Sequence, residues 1–165
     1  MHDGRGIANL VLDYCDENEI QLTNLSLQKI LYFCHVWFLV STGKPLIKHA
    51  FEAWEYGPVL PYLYRAFGNF SDAPLTTRVK QLDHKTGESF TAKSDIDEDG
   101  KKLLHKIVSF YTQLSANKLV ELSHVTDGPW FKTWNHQSKI NPGMQIENEV
   151  LLDFYSSMHR PYILH

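Results

Sequence analysis

The sequence predicts a mainly α-helical protein, a single compact domain of about six helices with a small β-hairpin element. Three observations lead to this prediction. Apolar residues recur at spacings of three and four, the periodicity of an α-helix, in several separate stretches. Residues 68–94 are polar and rich in turn residues, which leaves room for a hairpin. The length of 165 residues, with no internal repeat or linker, indicates one domain over residues 1–165.

The first two helices are defined by apolar spacing and by their end signals. Apolar residues at helical spacing predict an amphipathic helix over about residues 4–17. Thr23 or Asn24 is suited to cap a second helix, which we expect to run to about Thr42 and to end at Gly43. This second helix is apolar on nearly every face, and such a helix is usually the one around which others pack. We therefore expect it at the centre of the fold.

The segment after the second helix is expected to contain a strand and a short helix. Residues 51–56 are predicted to be extended, and Gly57 and Pro58 should end the strand and open a helix over about residues 60–67. Pro58 or Pro61 would lie in the first turn of this helix, where a missing N–H costs little.

The rest of the chain is predicted to hold one hairpin and four helices. Residues 78–83 and 88–93 are expected to pair around a turn at residues 84–87. The four helices are one from about Glu98, one capped by Ser115, a short one over residues 130–136 and a last one over residues 146–158. A turn is expected at residues 141–143, where the sequence reads Asn-Pro-Gly.

Composition excludes several classes of protein. The formal net charge is −3, whereas a protein that binds nucleic acid directly usually has a clearly basic balance. The longest apolar run, residues 30–40, is shorter than the roughly 20 residues that a membrane span needs. Residues 1–6 show no apolar signal-peptide core, and the two cysteines, Cys15 and Cys34, are too few for a disulfide framework. We therefore expect a cytoplasmic protein without nucleic-acid or membrane partners.

Motifs for metal binding and catalysis are incomplete. Residues 95–100 match the first half of an EF-hand loop, but Lys102 and Lys106 occupy positions that need an apolar residue and a bidentate glutamate. The acidic residues are better explained as favouring the N-terminus of a helix. The nine histidines lack the spacing of a zinc site, and no phosphate-binding loop or nucleophile elbow occurs. We expect no cofactor, no metal and no catalytic residue.

One face of the second helix carries a polar stripe. Gln28, Tyr32 and His35 are spaced four and three apart, so they share a face. One interpretation is a buried polar network that backbone groups satisfy. The other is an exposed strip for a protein partner, since tyrosine is favoured at binding hot spots. A hydrolase or transferase that uses Cys34 or His35 with Tyr32 is a further alternative.

Four blocks of the sequence resemble, in order, the signature of the Panacea domain, the SocA-like antitoxin family of bacteria and their phages. The blocks are LQKILYFCHVW at residues 27–37 with TGKPL at 42–46, EAWEYGPV at 52–59 followed by Pro61 and Tyr64, LSH with GPW at 122–130, and IENE with FY at 146–155. Together they span nearly the whole chain, and their combination is specific although each block alone is weak.

The resemblance implies an antitoxin and not an enzyme. Members of this family are small, mostly helical domains that neutralise a cognate toxin by direct binding. A SocA-type member is described as a proteolytic adaptor, which implies as an alternative that this chain delivers a bound toxin to an ATP-dependent protease. A phage-encoded protein that interferes with a host protein is another alternative. The resemblance carries no catalytic residue set.

The aromatic content is high, with nine Phe, eight Tyr and four Trp, and the resemblance divides these residues into two groups. Signature positions are expected to form the frame of the domain. The frame residues are Leu27, Trp37, Trp54, Gly57, Pro58, Tyr64, Pro129 and Trp130. Residues outside the signature, together with the polar stripe, are the candidates for binding a toxin. These candidates are Gln28, Tyr32, His35, Tyr62, Phe67, Phe70, Phe131 and Trp134.

Overall fold

The computed structural model describes residues 1–136 and 143–163, and within these residues the protein is mainly α-helical. Seven α-helices and two antiparallel two-stranded sheets are present in the described residues. The elements are α1 (Gly4–Glu17), α2 (Asn24–Thr42), β1 (Glu52–Trp54), β2 (Gly57–Val59), α3 (Pro61–Ala66), β3 (Lys80–Leu82), β4 (Ser89–Thr91), α4 (Glu98–Tyr111), α5 (Ala116–Ser123), α6 (Pro129–Trp134) and α7 (Asn148–Tyr155). The predicted fold class is confirmed.

Helix α2 lies at the centre, as its uniform apolar character predicts. It packs against α1, α3, α4, α5, α7 and β2, and nearly all its residues from Leu27 to Leu39 are buried. Thr23 caps its first turn by accepting a hydrogen bond from the backbone N–H of Ser26. Gly43 ends it in the left-handed conformation, at a φ of 72°, and its N–H bonds to the carbonyl of Leu39. Both predicted ends are therefore confirmed.

The acidic segment before α4 is a helix cap. Asp97 accepts a hydrogen bond of 2.7 Å from the backbone N–H of Gly100, and Glu98 and Asp99 occupy the first turn. Carboxylates at this end favour the helix because the peptide dipoles place partial positive charge there. The resemblance of residues 95–100 to a calcium loop therefore has a local explanation.

The region around Gly57 and Pro58 differs from the prediction. Both residues lie in β2, opposite Trp54 and Ala53 of β1, so the predicted strand end is in fact the start of a second strand. Proline is tolerated here because the N–H of Ala53 points away from β2 and donates to the carbonyl of Met144. Helix α3 begins with Pro61 in its first turn, which decides between the two prolines considered.

The predicted hairpin between residues 78 and 93 is confirmed. Strand β3 pairs with β4 with Gln81 opposite Phe90. Its base is held by Asn9 of α1, whose amide donates to the carbonyls of Val79 and Ala92 at 2.9 and 2.8 Å and accepts from the N–H of Val79. This buried side chain replaces strand partners that a two-stranded ribbon lacks, so it fixes the hairpin to the helical body.

The C-terminal helices are partly as predicted. Ser115 caps α5 through the N–H of Lys118, and the short helix α6 is present. Helix α7 begins later than predicted, because Glu147 is extended and the N–H of Ile146 bonds to the carbonyl of Phe51, and it ends at Tyr155 before the predicted residue 158. Of the predicted turn at residues 141–143, positions 141 and 142 lie outside the described residues.

Both cysteines are in the core. Cys34 is fully buried on α2, and burial raises the pKa of its thiol far above its usual value. Burial also raises the pKa of Cys15 to about 11. A thiol must ionise and reach its substrate to act as a nucleophile, so the proposed hydrolase or transferase based on Cys34 is not supported by this structure. None of the helices within the described residues has the length and apolar character needed to cross a membrane.

Candidate partner-binding groove

The polar stripe of α2 is buried, and two of its residues, Gln28 and His35, hydrogen-bond to other parts of the protein. Gln28 accepts from the backbone N–H of Leu60 at 2.9 Å and donates to the side chain of Asn24 at 3.2 Å. Gln28 and Tyr32 have no exposed surface, and His35 is almost as deeply buried. The exposed strip is therefore excluded, and these three residues are corrected from partner-binding candidates to interior residues.

His35 joins two distant segments to α2. Its Nδ1 accepts a hydrogen bond of 3.2 Å from the backbone N–H of Ile47, so the proton is on Nε2, which donates to Asn148 Oδ1 at 2.8 Å. Burial lowers the pKa of the imidazole, in agreement with this neutral form. Both nitrogens are used for structure, which leaves neither for the acid–base chemistry considered from the sequence.

Lys29 is a buried cation next to this network. Its Nζ donates a 2.8 Å hydrogen bond to the carbonyl of Pro58, and its side chain has no exposed surface. Burial lowers the pKa of the ammonium group to about 7, because desolvation disfavours the charged form. The backbone of Gly57 closes over this lysine: a Cβ atom there would lie 2.7 Å from Lys29 Cε and 2.7 Å from Ser123 Oγ. Gly57 and Pro58 are thus buried and closely packed, and their role as frame residues stays a prediction.

Above this buried layer the surface opens into a groove of about 570 Å³, which we call the aromatic groove. Three aromatic side chains, Trp54, Tyr56 and Tyr64, line it together with the carboxylates of Glu55 and Asp72. Strands β1 and β2 and helix α3 position the rings. Glu55 and Tyr56 form the two-residue turn between β1 and β2, so their side chains project from its tip.

The rings of the aromatic groove are accessible. Tyr56 is 65% exposed and Tyr64 is 39% exposed, while Trp54 is half-buried and meets Tyr64 edge to face at 5.4 Å. The indole N–H of Trp54 donates to Glu52 Oε2 at 2.8 Å, which fixes the ring. Large aromatic side chains held in place at a surface are typical of binding hot spots.

A second aromatic pair, Trp130 and Trp134, is attached to the backbone of β1. The indole N–H of Trp130 donates to the backbone carbonyl of Trp54 at 2.7 Å, and Trp130 stacks on Trp134 with ring centroids 5.6 Å apart. Trp130 is buried as predicted, whereas Trp134 is 38% exposed. Trp134 therefore stays a candidate for partner contact.

The structure separates the remaining predicted residues by burial. Among the frame residues, Leu27, Trp37 and Pro129 are buried as expected. Tyr64, which α3 turns to the surface, and half-buried Trp54 both line the groove, and their place in the frame stays a prediction. Among the other candidates for toxin contact, Phe67 is wrong because its ring is in the core. Tyr62, Phe70 and Phe131 are only partly buried, and toxin contact by them stays a prediction.

Sequence reasoning missed the acidic rim and the tip of the turn. Glu55 and Asp72 are in neither predicted group, and Tyr56, which lies in a signature block and is therefore expected in the frame, is 65% exposed. In the described part of the chain, no group of three or more His, Cys, Asp and Glu side chains is placed to hold a metal ion.

Comparison with known proteins places the groove within a described domain. A sequence model described as antitoxin SocA-like, Panacea domain, matches residues 27–131, which include every residue named above as lining the aromatic groove. This chain belongs to the SocA-like Panacea family. It is 35% identical over 152 residues to antitoxin SocA of Caulobacter vibrioides, an alignment that covers 92% of this chain and 81% of that protein. No solved structure matches the chain significantly.

Proposed function

We propose that this protein is an antitoxin that neutralises a cognate toxin by binding it directly at the surface that contains the aromatic groove. Membership of the SocA-like family supports the antitoxin role, and the similarity to antitoxin SocA extends over most of the chain. The observation that carries the binding site is the groove itself, where Tyr56 and Tyr64 expose rings that a frame residue would bury. A regulatory protein, not an enzyme, fits this picture.

The groove serves as the anchor of a larger interface. A cavity of about 570 Å³ accommodates a few side chains, whereas a stable protein–protein interface buries about 800 Å² on each partner. Residues around the groove, including Trp134, would supply the remaining contact area. Occlusion of the toxin's active surface by this interface is the simplest mechanism of neutralisation.

Co-expression with the product of the neighbouring gene tests this proposal. We expect that product to arrest growth alone and the present protein to restore growth. The variant Tyr56→Ala/Tyr64→Ala should weaken rescue, while Phe90→Ala should not, since Phe90 is also exposed but lies on the β3–β4 hairpin and does not line the groove. A harmless neighbour, or a toxic one that this protein does not rescue, would contradict the antitoxin role. Equal rescue by both variants would contradict the groove as the binding site.

The half-life of the toxin separates occlusion from proteolytic delivery. Under occlusion, the toxin persists at an unchanged half-life while growth is restored. A half-life that shortens only in the presence of this protein and an ATP-dependent protease would replace occlusion by an adaptor mechanism. Binding of a host protein in place of the neighbouring gene product would support the alternative of host interference.

A further inference from the structure

We propose that the aromatic groove binds a positively charged side chain, arginine or lysine, presented by the toxin. The proposal rests on the proposed function for the identity of the partner, but its chemistry follows from the groove alone. It specifies what the toxin segment must carry and not only where it docks.

The exposed charges that line the groove are negative. Glu55 at the tip of the β1–β2 turn and Asp72 after α3 are both exposed carboxylates on its rim. The carboxylate of Glu52 lies against the edge of Trp54, whose indole N–H it accepts at 2.8 Å. Glu52 does not itself line the groove, so the charges that face an entering cation are those of Glu55 and Asp72.

The cation that lines the groove offsets these charges only in part. Lys29 lies beneath the floor with no exposed surface, and its ammonium group is already bound to the carbonyl of Pro58. Burial lowers its pKa to about 7, so it carries less than a full charge at neutral pH. Among the described residues that line the groove, no other is basic.

The aromatic rings add a second attraction for a cation. Tryptophan and tyrosine faces attract Arg and Lys when the cation lies within about 6 Å of the ring centre. Trp54 and Tyr64 meet edge to face, so they form a corner with a ring face on one side. The protein already makes such a contact elsewhere, where Arg5 Cζ lies 4.7 Å from the centre of the Tyr62 ring. Aromatic faces and carboxylates together select a cation over a neutral side chain of the same shape.

Nuclear magnetic resonance titration of the full chain tests the selectivity. The probes are N-acetyl-argininamide and N-acetyl-citrullinamide, because citrulline has nearly the shape of arginine without its charge. The readout is the indole N–H signal of Trp54, assigned by its loss in Trp54→Phe. We expect the arginine probe to shift this signal with a dissociation constant at least about threefold lower than that of the citrulline probe.

Charge variants provide the matched control. Glu55→Gln/Asp72→Asn should remove the preference for the arginine probe. Asp83→Asn/Glu88→Gln changes the net charge equally on the β3–β4 hairpin and should retain it. Both variants change exposed or partly exposed side chains, and superimposable amide spectra will show that each is folded. Equal affinity for the two probes, shifts that bypass Trp54, or an unchanged preference in Glu55→Gln/Asp72→Asn would overturn the proposal.

The outcome is separable from that of the antitoxin proposal. Growth rescue with no selectivity for the arginine probe removes the cation site and leaves the antitoxin function standing. Selectivity without growth rescue supports the cation site but contradicts the proposal that a toxin supplies the bound arginine or lysine.

Discussion

The polar stripe of α2 and the aromatic groove use similar residues in opposite environments. Gln28, Tyr32 and His35 are buried, and Gln28 and His35 bond to other segments, whereas Tyr56 and Tyr64 project into solvent. Both sets fall in the blocks that resemble the family signature. Membership of a signature therefore does not distinguish a residue that holds the fold from one that is available for binding.

The difference arises from what surrounds each segment. Helix α2 is covered on several sides by other helices and by β2, so Gln28 and His35 are shielded from water and find their partners within the protein. In the β1–β2 turn, Gly57 closes over Lys29, while the side chains of Glu55 and Tyr56 are exposed. Its exposed side chains can hydrogen-bond to water and need no partner within the protein, so a tyrosine there is available to bind another molecule.

The largest expected effect is at Gly57, the point where the two regions touch. Gly57 has a φ of 108°, and an added Cβ would lie 2.7 Å from Lys29 Cε and Ser123 Oγ. Gly57→Ala should lower the free energy of unfolding by about 3 kcal/mol, through backbone strain and overpacking together. Urea denaturation measures this difference.

Gly87→Ala is the matched control for Gly57→Ala. Gly87 also has a positive φ, of 73°, but an added Cβ there would meet no atom within 4 Å. Strain alone should cost about 1 kcal/mol. Equal losses at both positions would mean that the close contact of Gly57 with Lys29 and Ser123 adds nothing to the cost of backbone strain. The turn of the groove would then not be coupled to the buried layer through Gly57.

The next effect concerns the buried stripe itself. Gln28→Leu removes the acceptor of the Leu60 N–H and leaves that group buried without a partner. We expect a loss of about 2–3 kcal/mol in the free energy of unfolding. Gln113→Leu is the control, since Gln113 donates to the Ser109 carbonyl on the exposed side of α4 and its loss should cost at most about 0.5 kcal/mol. A Gln28→Leu protein as stable as the Gln113→Leu protein would show that the network contributes little.

Features set by a few neighbouring residues could be predicted from the sequence. The ends of α2 at Thr23 and Gly43 and the cap of α4 at Asp97 depend on side chains within one helical turn. The hairpin at residues 78–93 likewise depends on its own turn, although its anchor, Asn9, could not be foreseen.

Features that depend on distant segments could not be predicted. Strand β2 can include Pro58 because the opposite residue, Ala53, donates its N–H to the carbonyl of Met144, more than 80 residues away in the sequence. The burial of His35 depends on Asn148 in the same way. The groove is formed by α2, the β1–β2 turn and the segment after α3, so its acidic rim has no signature in any one stretch.

The third prediction is a dependence of stability on pH that belongs to Lys29. The unfolded lysine keeps its proton up to about its ordinary pKa of 10.5, whereas the folded lysine loses it at about 7. Between these values the unfolded state binds more protons, so the free energy of unfolding rises with pH. The rise should approach about 1.4 kcal/mol per pH unit from pH 8 to 9.

Lys29→Met isolates this contribution. The variant lacks the titrating group but shares the buried cysteines and tyrosines, whose titration affects both proteins alike. The stability of the natural protein relative to Lys29→Met should therefore increase from pH 7 to 9. A difference that is constant with pH would mean that Lys29 stays charged under the groove, and the groove would then be less acidic than inferred.

The smallest effect is expected at the tip of the β1–β2 turn. Tyr56 is 65% exposed, so Tyr56→Ala removes little buried surface and should change the free energy of unfolding by no more than about 0.5 kcal/mol. The same substitution should weaken toxin neutralisation, because an exposed ring that contributes nothing to folding is available for a partner. Phe90→Ala, at the other exposed hairpin, should leave both stability and neutralisation unchanged. A loss of more than 1 kcal/mol in Tyr56→Ala alone would assign Tyr56 to the frame, and the distinction between the buried stripe and the aromatic groove would then depend on Tyr64 and Trp54 alone.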